Sequence, residues 1–253
     1  MSIRKVAHLF ALAAVLLAPS ARAADQELVV SAAASLTNAF GDLGKVFEKQ
    51  NPGAKAVFNF AASGTLFQQI DKGAPADVFA SADQETMDKA QAKGLLLAET
   101  RRNFVRNVLV LVVPADAKTA VAGPADLAKP EVKRIAVGDP AFVPVGRYTE
   151  QGLRAAGLLD VLKPKLIPAN SVRQVLDYVS RGEVDAGLVY ATDAAVAKDK
   201  VKVVKVVGGH EPILYPIAVV AASQRKDLAR RFVALVASPE GQAVLARYGF
   251  GAP

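Results

Sequence analysis

No cysteine occurs anywhere in the 253 residues. Its absence excludes disulfides, thiolate nucleophiles and cysteine-bound metal centres. Histidine is nearly as scarce: His8 lies in an N-terminal segment that reads as an address, and His210 falls in a turn between Gly208 and Pro212. No HExxH, no P-loop glycine run and no cluster of ligating side chains is present, so the chain offers no metal site and no nucleotide site by motif. Tryptophan is missing and aromatic residues make up only 6%. Lysine and arginine are scattered, in pairs such as Arg101-Arg102 and Arg230-Arg231, without a basic run interleaved with aromatics; nucleic acid is not an expected partner. Beyond the N-terminus no apolar run approaches the ~20 residues needed to span a bilayer.

The N-terminus has the build of an export signal. Arg4 and Lys5 precede the apolar stretch Val6 to Ala18, and Ala21-Arg22-Ala23 is an A-x-A cleavage site. Residues 1–23 are therefore expected to be removed, releasing a periplasmic chain from Ala24 without a lipid or membrane anchor. Without Arg4, Lys5 and Arg22 the formal charge falls from +7 to +4. An exported chain without disulfides is held together by its core alone, and this one is long enough for two modest lobes.

What the sequence does contain is one arrangement repeated. Gln26 to Ala33 reads as a strand that runs through Ala34-Ser35 into a helix to about Gln50, with Leu36, Phe40, Leu43, Val46 and Phe47 at the spacing of one buried face, stopped by Asn51-Pro52-Gly53. Ala56 to Phe60 alternates as a strand and enters Ala61-Ala62-Ser63-Gly64-Thr65 and a short helix. Asp77 to Ala80 is a buried strand, followed by a helix for which Ser81 and Gln84 fit a capping box. After the apolar strand Val108 to Val113 the pattern restarts. Arg134 to Val137 leads through Gly138-Asp139-Pro140 to Val143-Pro144-Val145-Gly146 and a helix. Lys165 to Ile167 leads to a helix capped by Asn170-Ser171, with Val172, Val175, Leu176 and Val179 on one face. Asp185 to Tyr190 and Val201 to Val207 read as strands, Tyr215 to Ala221 as a second very apolar one, and two helices close the chain.

Strands alternating with helices predict an α/β fold with parallel sheets. Two rounds joined by apolar strands near Val108 and Tyr215 predict two lobes: residues 24–107 with 217–253, and residues 108–216. In open α/β sheets ligands bind beyond the carboxyl ends of strands. Four strand-to-helix turns, at Ser35, Ser63, Val145 and Val172, can thus face one cleft, each presenting first-turn N–H groups and the positive end of a helix dipole. Ser35 and Ser63 add hydroxyls, Val145 and Val172 offer backbone N–H alone, and Tyr190 can add a phenol. Such a cavity is rich in donors and poor in acceptors. It suits a small, fully deprotonated oxyanion and penalises one that carries a proton.

The motifs Ala32-Ala33-Ala34-Ser35-Leu36-Thr37, Ala61-Ala62-Ser63-Gly64-Thr65-Leu66, Gly73-Ala74-Pro75-Ala76-Asp77, Ser81-Ala82-Asp83, Gly138-Asp139-Pro140, Val143-Pro144-Val145-Gly146 and Gly187-Leu188-Val189-Tyr190 occur in one order over the mature chain, which ends in Arg247-Tyr248-Gly249-Phe250. In these the chain resembles the periplasmic molybdate-binding proteins of ABC importers. The resemblance implies a type II periplasmic-binding-protein fold: two α/β lobes joined by two crossover segments and closing on molybdate or tungstate. It implies delivery of that ligand to a membrane permease by a monomer, with no catalysis and no cofactor or metal besides the oxyanion. Its ligand residues match Ser35, Ser63, Val145, Val172 and Tyr190. Val145 stands where an alanine is common, and Gly64 where a serine often stands.

Plainer readings exist for each residue. Ser35 and Ser63 can be read as helix caps, Tyr190 as a core tyrosine, and Arg147 and Arg173 as solvated rim residues. Another tetrahedral oxyanion such as sulfate is the nearest alternative ligand. An exported serine-dependent hydrolase would need a base, which only His210 could supply. A LysR-type effector domain would need a DNA-binding helix pair where the export signal stands.

Overall fold

A computed structural model describes residues 26–253; the expected signal segment and its cleavage site lie outside them. The chain order is β1 (Gln26–Ala33), α1 (Thr37–Gln50), β2 (Ala54–Ala61), α2 (Ser63–Asp71), β3 (Val78–Ala80), α3 (Gln84–Ala92), β4 (Arg102–Arg106) and β5 (Leu109–Pro114). Then come β6 (Ile135–Gly138), α4 (Pro144–Ala155), α5 (Leu159–Leu162), β7 (Leu166–Ala169), α6 (Val172–Ser180), β8 (Ala186–Tyr190), α7 (Ala191–Val196) and β9 (Val201–Val206). The chain ends with β10 (Leu214–Val219), α8 (Lys226–Ala237) and α9 (Pro239–Arg247).

The strands form two five-stranded sheets, ordered β2-β1-β3-β10-β4 and β7-β6-β8-β5-β9. Each sheet has three parallel strands followed by an antiparallel one, β10 in the first and β5 in the second. The sheets are mixed rather than wholly parallel because the fourth strand arrives by a crossover between lobes, not through a local βαβ unit. The chain leaves the first sheet after Arg106, enters the second at Leu109, and is back in the first by Leu214.

The two cores are chemically unlike. Under the first sheet Phe40, Phe47, Phe58, Phe104 and Phe232 meet with neighbouring rings 5.3 to 6.2 Å apart, most of them edge-on or tilted. The second is built from aliphatic residues such as Leu111, Ile135, Val175, Val179 and Leu188, all fully buried. Between residues 108 and 216 the only phenylalanine is Phe142, which is exposed.

Candidate functional site

Register places the turns. Ala33 pairs with Ala61 at the ends of the neighbouring parallel strands β1 and β2, and Ser35 and Ser63 each follow two residues on. In the second lobe Gly138 pairs with Ala169 at the ends of β6 and β7; α4 and α6 start beyond them, and Tyr190 ends β8 on the same edge. Contacts across the lobes bring these edges together. Gly64 N–H donates to Phe142 O at 2.9 Å. The Tyr190 ring lies 5.8 Å, centre to centre, from that of Tyr215, whose hydroxyl is 2.9 Å from Ser35 Oγ. Arg173, next to Val172, reaches Asn38 Oδ1 at 2.8 Å and Ser35 O at 3.4 Å.

Local sequence leaves the right donors free. Pro144 at the first position of α4 has no N–H, so Val145 carries the helix's first amide donor. Ser171, extended at φ −160° and ψ 163°, caps α6 by accepting from Gln174 N–H at 3.2 Å, which leaves Val172 N–H unused. Neither valine N–H meets a backbone or side-chain acceptor among the described residues. Gly146 lets α4 start this close: a Cβ there would sit 2.1 Å from Gly138 O. Ser63 Oγ accepts from Ala82 N–H at 3.0 Å, so its own proton is left to donate elsewhere. Neither Ser35 nor Ser63 caps its helix through its side chain.

Tyr190 is 1% exposed, and its hydroxyl has no hydrogen-bond partner among the described residues. A buried hydroxyl without a partner is costly, so this one calls for an explanation. Burial, and then the neighbouring Tyr215, push the Tyr190 hydroxyl well above the ordinary phenol range, so it stays a protonated donor. Burial does the same to Tyr215. Asp193, fully buried at the start of α7, is raised to about 6 by desolvation, which outweighs its bond from Arg173 Nε at 2.5 Å.

Two expectations need correction, and one departure from the family pattern gains a reason. Arg147 and Arg173 are mostly buried and ion-paired rather than free in solvent, with side chains 14% and 23% exposed. Arg147 is bonded to Asp83 and Thr86 of the first lobe and to Pro140 O of its own. Long cations can be buried when every donor has an acceptor, and here first-lobe acceptors supply most of them. Ser81 does not cap α3: Asp83 does, accepting from Thr86 N–H, while Ser81 Oγ donates to Asp83 Oδ1 at 3.0 Å. At Gly64 the departure from serine matters sterically, since a Cβ would lie 2.6 Å from Phe142 O.

The sequence reading omitted Asn107 and Tyr215. Asn107 sits at the crossover, where its side chain donates to Thr192 Oγ1 at 2.9 Å and to Tyr215 Oη at 3.2 Å. The available signal was a polar residue opening an apolar strand. His210 is structural: its ring nitrogens lie 2.7 Å from Glu211 O and 2.9 Å from Val207 O, and it packs on Tyr148. Among the described residues no group of three or more ionisable ligands is placed to hold a metal ion.

Residues 28–251 match the family model described as bacterial extracellular solute-binding protein. The molybdate-binding protein ModA of Haemophilus influenzae is 40% identical over 91% of this chain and 92% of its own length. The substrate-binding domain of a putative molybdenum ABC transporter from Clostridium difficile is 40% identical, with a TM-score of 0.68 over 90% of this chain and 99% of that one. The sulfate-binding protein SubI of Mycobacterium tuberculosis superposes with a TM-score of 0.81 over 89% of this chain and 86% of that one, at 17% identity, a likeness of fold alone.

Proposed function

The chain belongs to the bacterial extracellular solute-binding proteins, and from that premise we propose that it binds molybdate, and tungstate with it, in the periplasm and hands it to the permease of an ABC importer. The binding groups are the hydroxyls of Ser35, Ser63 and Tyr190 and the backbone N–H groups of Ser35, Ser63, Val145 and Val172. The protein acts as a carrier, with no reaction at the site and no cofactor besides the cargo.

One observation carries this reading. The Tyr190 hydroxyl is buried and has no partner among the described residues, at the end of β8 on the strand edge from which α4 and α6 also start, and a ligand oxygen would satisfy it. Each donor makes a charge-assisted bond to a dianion, and the positive ends of α2, α4 and α6 add to the attraction. Arg147 and Arg173 bind protein acceptors from the flanks, so they hold the lobes together and leave the oxyanion to neutral donors.

Sulfate has the same charge and no proton, so donor count does not separate it from molybdate; the size of the closed site must. Calorimetric titration with molybdate, tungstate, sulfate and phosphate tests the assignment. Molybdate and tungstate are expected to bind far more tightly than sulfate, and phosphate hardly at all. Molybdate at ~100 times its dissociation constant should add ~2.7 kcal/mol to unfolding stability. Equal affinity for sulfate would move the protein to sulfate carriage.

A further inference from the structure

A hydroxyl can donate or accept, and a site that discriminates by protonation must fix which it does. For Ser35 the direction is set by a chain of bonds that starts at the crossover between the lobes. Val108 N–H, which can only donate, bonds to the Asn107 side chain at 2.9 Å. That identifies the contacting atom as Oδ1 and turns Nδ2 toward Thr192 and Tyr215. Nδ2 carries only donors, so Tyr215 Oη accepts. Tyr215 is fully buried, and among the described residues the one remaining partner for its proton is Ser35 Oγ, 2.9 Å away. Ser35 Oγ must then accept from Tyr215, and its own proton points to the ligand.

We propose that Asn107 and Tyr215 are positioning residues that lock Ser35 as a hydrogen-bond donor, so that the site rejects oxyanions carrying a proton. The proposal rests on the oxyanion reading of the site. It supplies what the turn pattern alone lacked: with Tyr215 donating to Ser35 Oγ, turning the second lone pair toward a ligand O–H would strand the serine proton without an acceptor. Ser63 is locked independently, by Ala82 N–H. With both serines held as donors, and with the Tyr190 proton finding no acceptor of its own among the described residues, a ligand O–H faces O–H groups rather than free lone pairs. The lock also runs through the crossover: Asn107 is held by Val108 N–H and Thr192 on the second-lobe side, and Tyr215 by β10 on the first.

Two variants break the chain differently. Tyr215→Phe removes the hydroxyl that donates to Ser35 and frees Ser35 to rotate. Asn107→Asp keeps every hydroxyl but replaces the donor Nδ2 by an acceptor. Tyr215 then donates to position 107, Ser35 donates to Tyr215, and Ser35 presents lone pairs to the ligand. The experiment measures dissociation constants of wild type and both variants for molybdate, sulfate and phosphate at mildly alkaline pH, where phosphate is mostly the singly protonated dianion. All three ligands then carry the same charge, so a general change in electrostatics cancels in the ratios. The expected result is a preference for molybdate over phosphate that falls roughly tenfold or more in each variant, with the preference for molybdate over sulfate held within about threefold. A merely structural role for Tyr215 would loosen the site and move both ratios together, which overturns the proposal, as do unchanged ratios in folded variants. Wild-type protein that fails to bind molybdate sinks the functional assignment instead. If neither variant folds, neutron diffraction from the wild-type molybdate complex decides: deuterium on Tyr215 directed at Ser35 is expected, and deuterium on Ser35 directed at Tyr215 overturns the lock.

Discussion

The two lobes present the same layout of strands and helix starts, yet they equip it differently. In the site as proposed, the first contributes the Ser35 and Ser63 hydroxyls beside their N–H groups; Ser63 Oγ accepts from Ala82 N–H, and Ser35 Oγ shares a hydrogen bond with Tyr215 Oη. The second contributes bare amides at Val145 and Val172 and one phenol, Tyr190. Closure is equally lopsided. Arg147 and Arg173, which bridge the cleft, come from α4 and α6 of the second lobe, and the acceptors they find across it, Asp83, Thr86, Asn38 and Ser35 O, belong to the first. A lobe that binds through side chains can be disabled by a conservative substitution. A backbone donor cannot be removed that way, because every residue except proline carries the same N–H, so in the second lobe only Tyr190 is open to such a change.

The sharpest way to break the comparison is Ser63→Ala. In the first lobe this removes a donor to the oxyanion, costing ~1.5–3 kcal/mol or roughly ten- to hundredfold in affinity. It also strands the Ala82 N–H, which is buried and bonded to Ser63 Oγ. An unsatisfied buried amide costs about 1–3 kcal/mol, so the unfolding free energy should fall as well. Calorimetry and urea unfolding read the two losses separately. An affinity within twofold of wild type would return Ser63 to a structural role.

The second lobe should respond in the opposite way. Val172→Ala keeps the N–H and is expected to leave affinity almost unchanged, with some stability lost because Val172 is buried. Val172→Pro removes the N–H. It should fold, since Val172 is the first residue of α6 and Ser171 already has the extended backbone that a following proline demands. Its molybdate affinity is expected to be roughly ten- to hundredfold below that of the alanine variant. Circular dichroism checks the fold and calorimetry the binding. Equal affinities in two folded variants would remove the backbone donor at this turn.

This contrast also marks how far the sequence could be read. The turns were legible because each is local: a strand, a few small residues and a helix start lie within a dozen positions, and dipole and capping rules act at that range. The two-lobe α/β architecture followed from the repeat of that unit. Antiparallel β10 and β5 were not legible as such, because a strand's neighbours depend on the crossover rather than on its own residues. For the same reason Tyr215 was invisible: Ser35, its partner, is 180 positions away and meets it only because β10 inserts beside β3. Arg147 and Arg173 misled because isolated arginines usually are solvated. Their acceptors lie on the other lobe, and no pattern near position 147 announces Asp83.

The smallest expected effect belongs to Asp193, which anchors Arg173 from behind and tests whether second-lobe closure depends on its charge. Burial raises its carboxyl from an unfolded value near 3.8 to about 6, despite the Arg173 bond. The native state therefore holds a proton between those two values that the unfolded chain has released. By linkage, this group's contribution to stability falls as pH rises through that window and is flat above it. The sign is opposite to that of Asp42, Glu85 and Asp126, whose lowered values make their contributions disappear on acidification. Because these run against one another, the comparison is between wild type and Asp193→Asn, which keeps an acceptor for Arg173 Nε but cannot titrate. On going from neutral pH to about pH 5, wild type should gain about 1 kcal/mol relative to the asparagine variant. Urea unfolding of both proteins across that range reads the difference. Parallel stability curves would mean that Asp193 does not change protonation there, leaving Arg173 paired to a permanent carboxylate and the second lobe's bridge indifferent to pH.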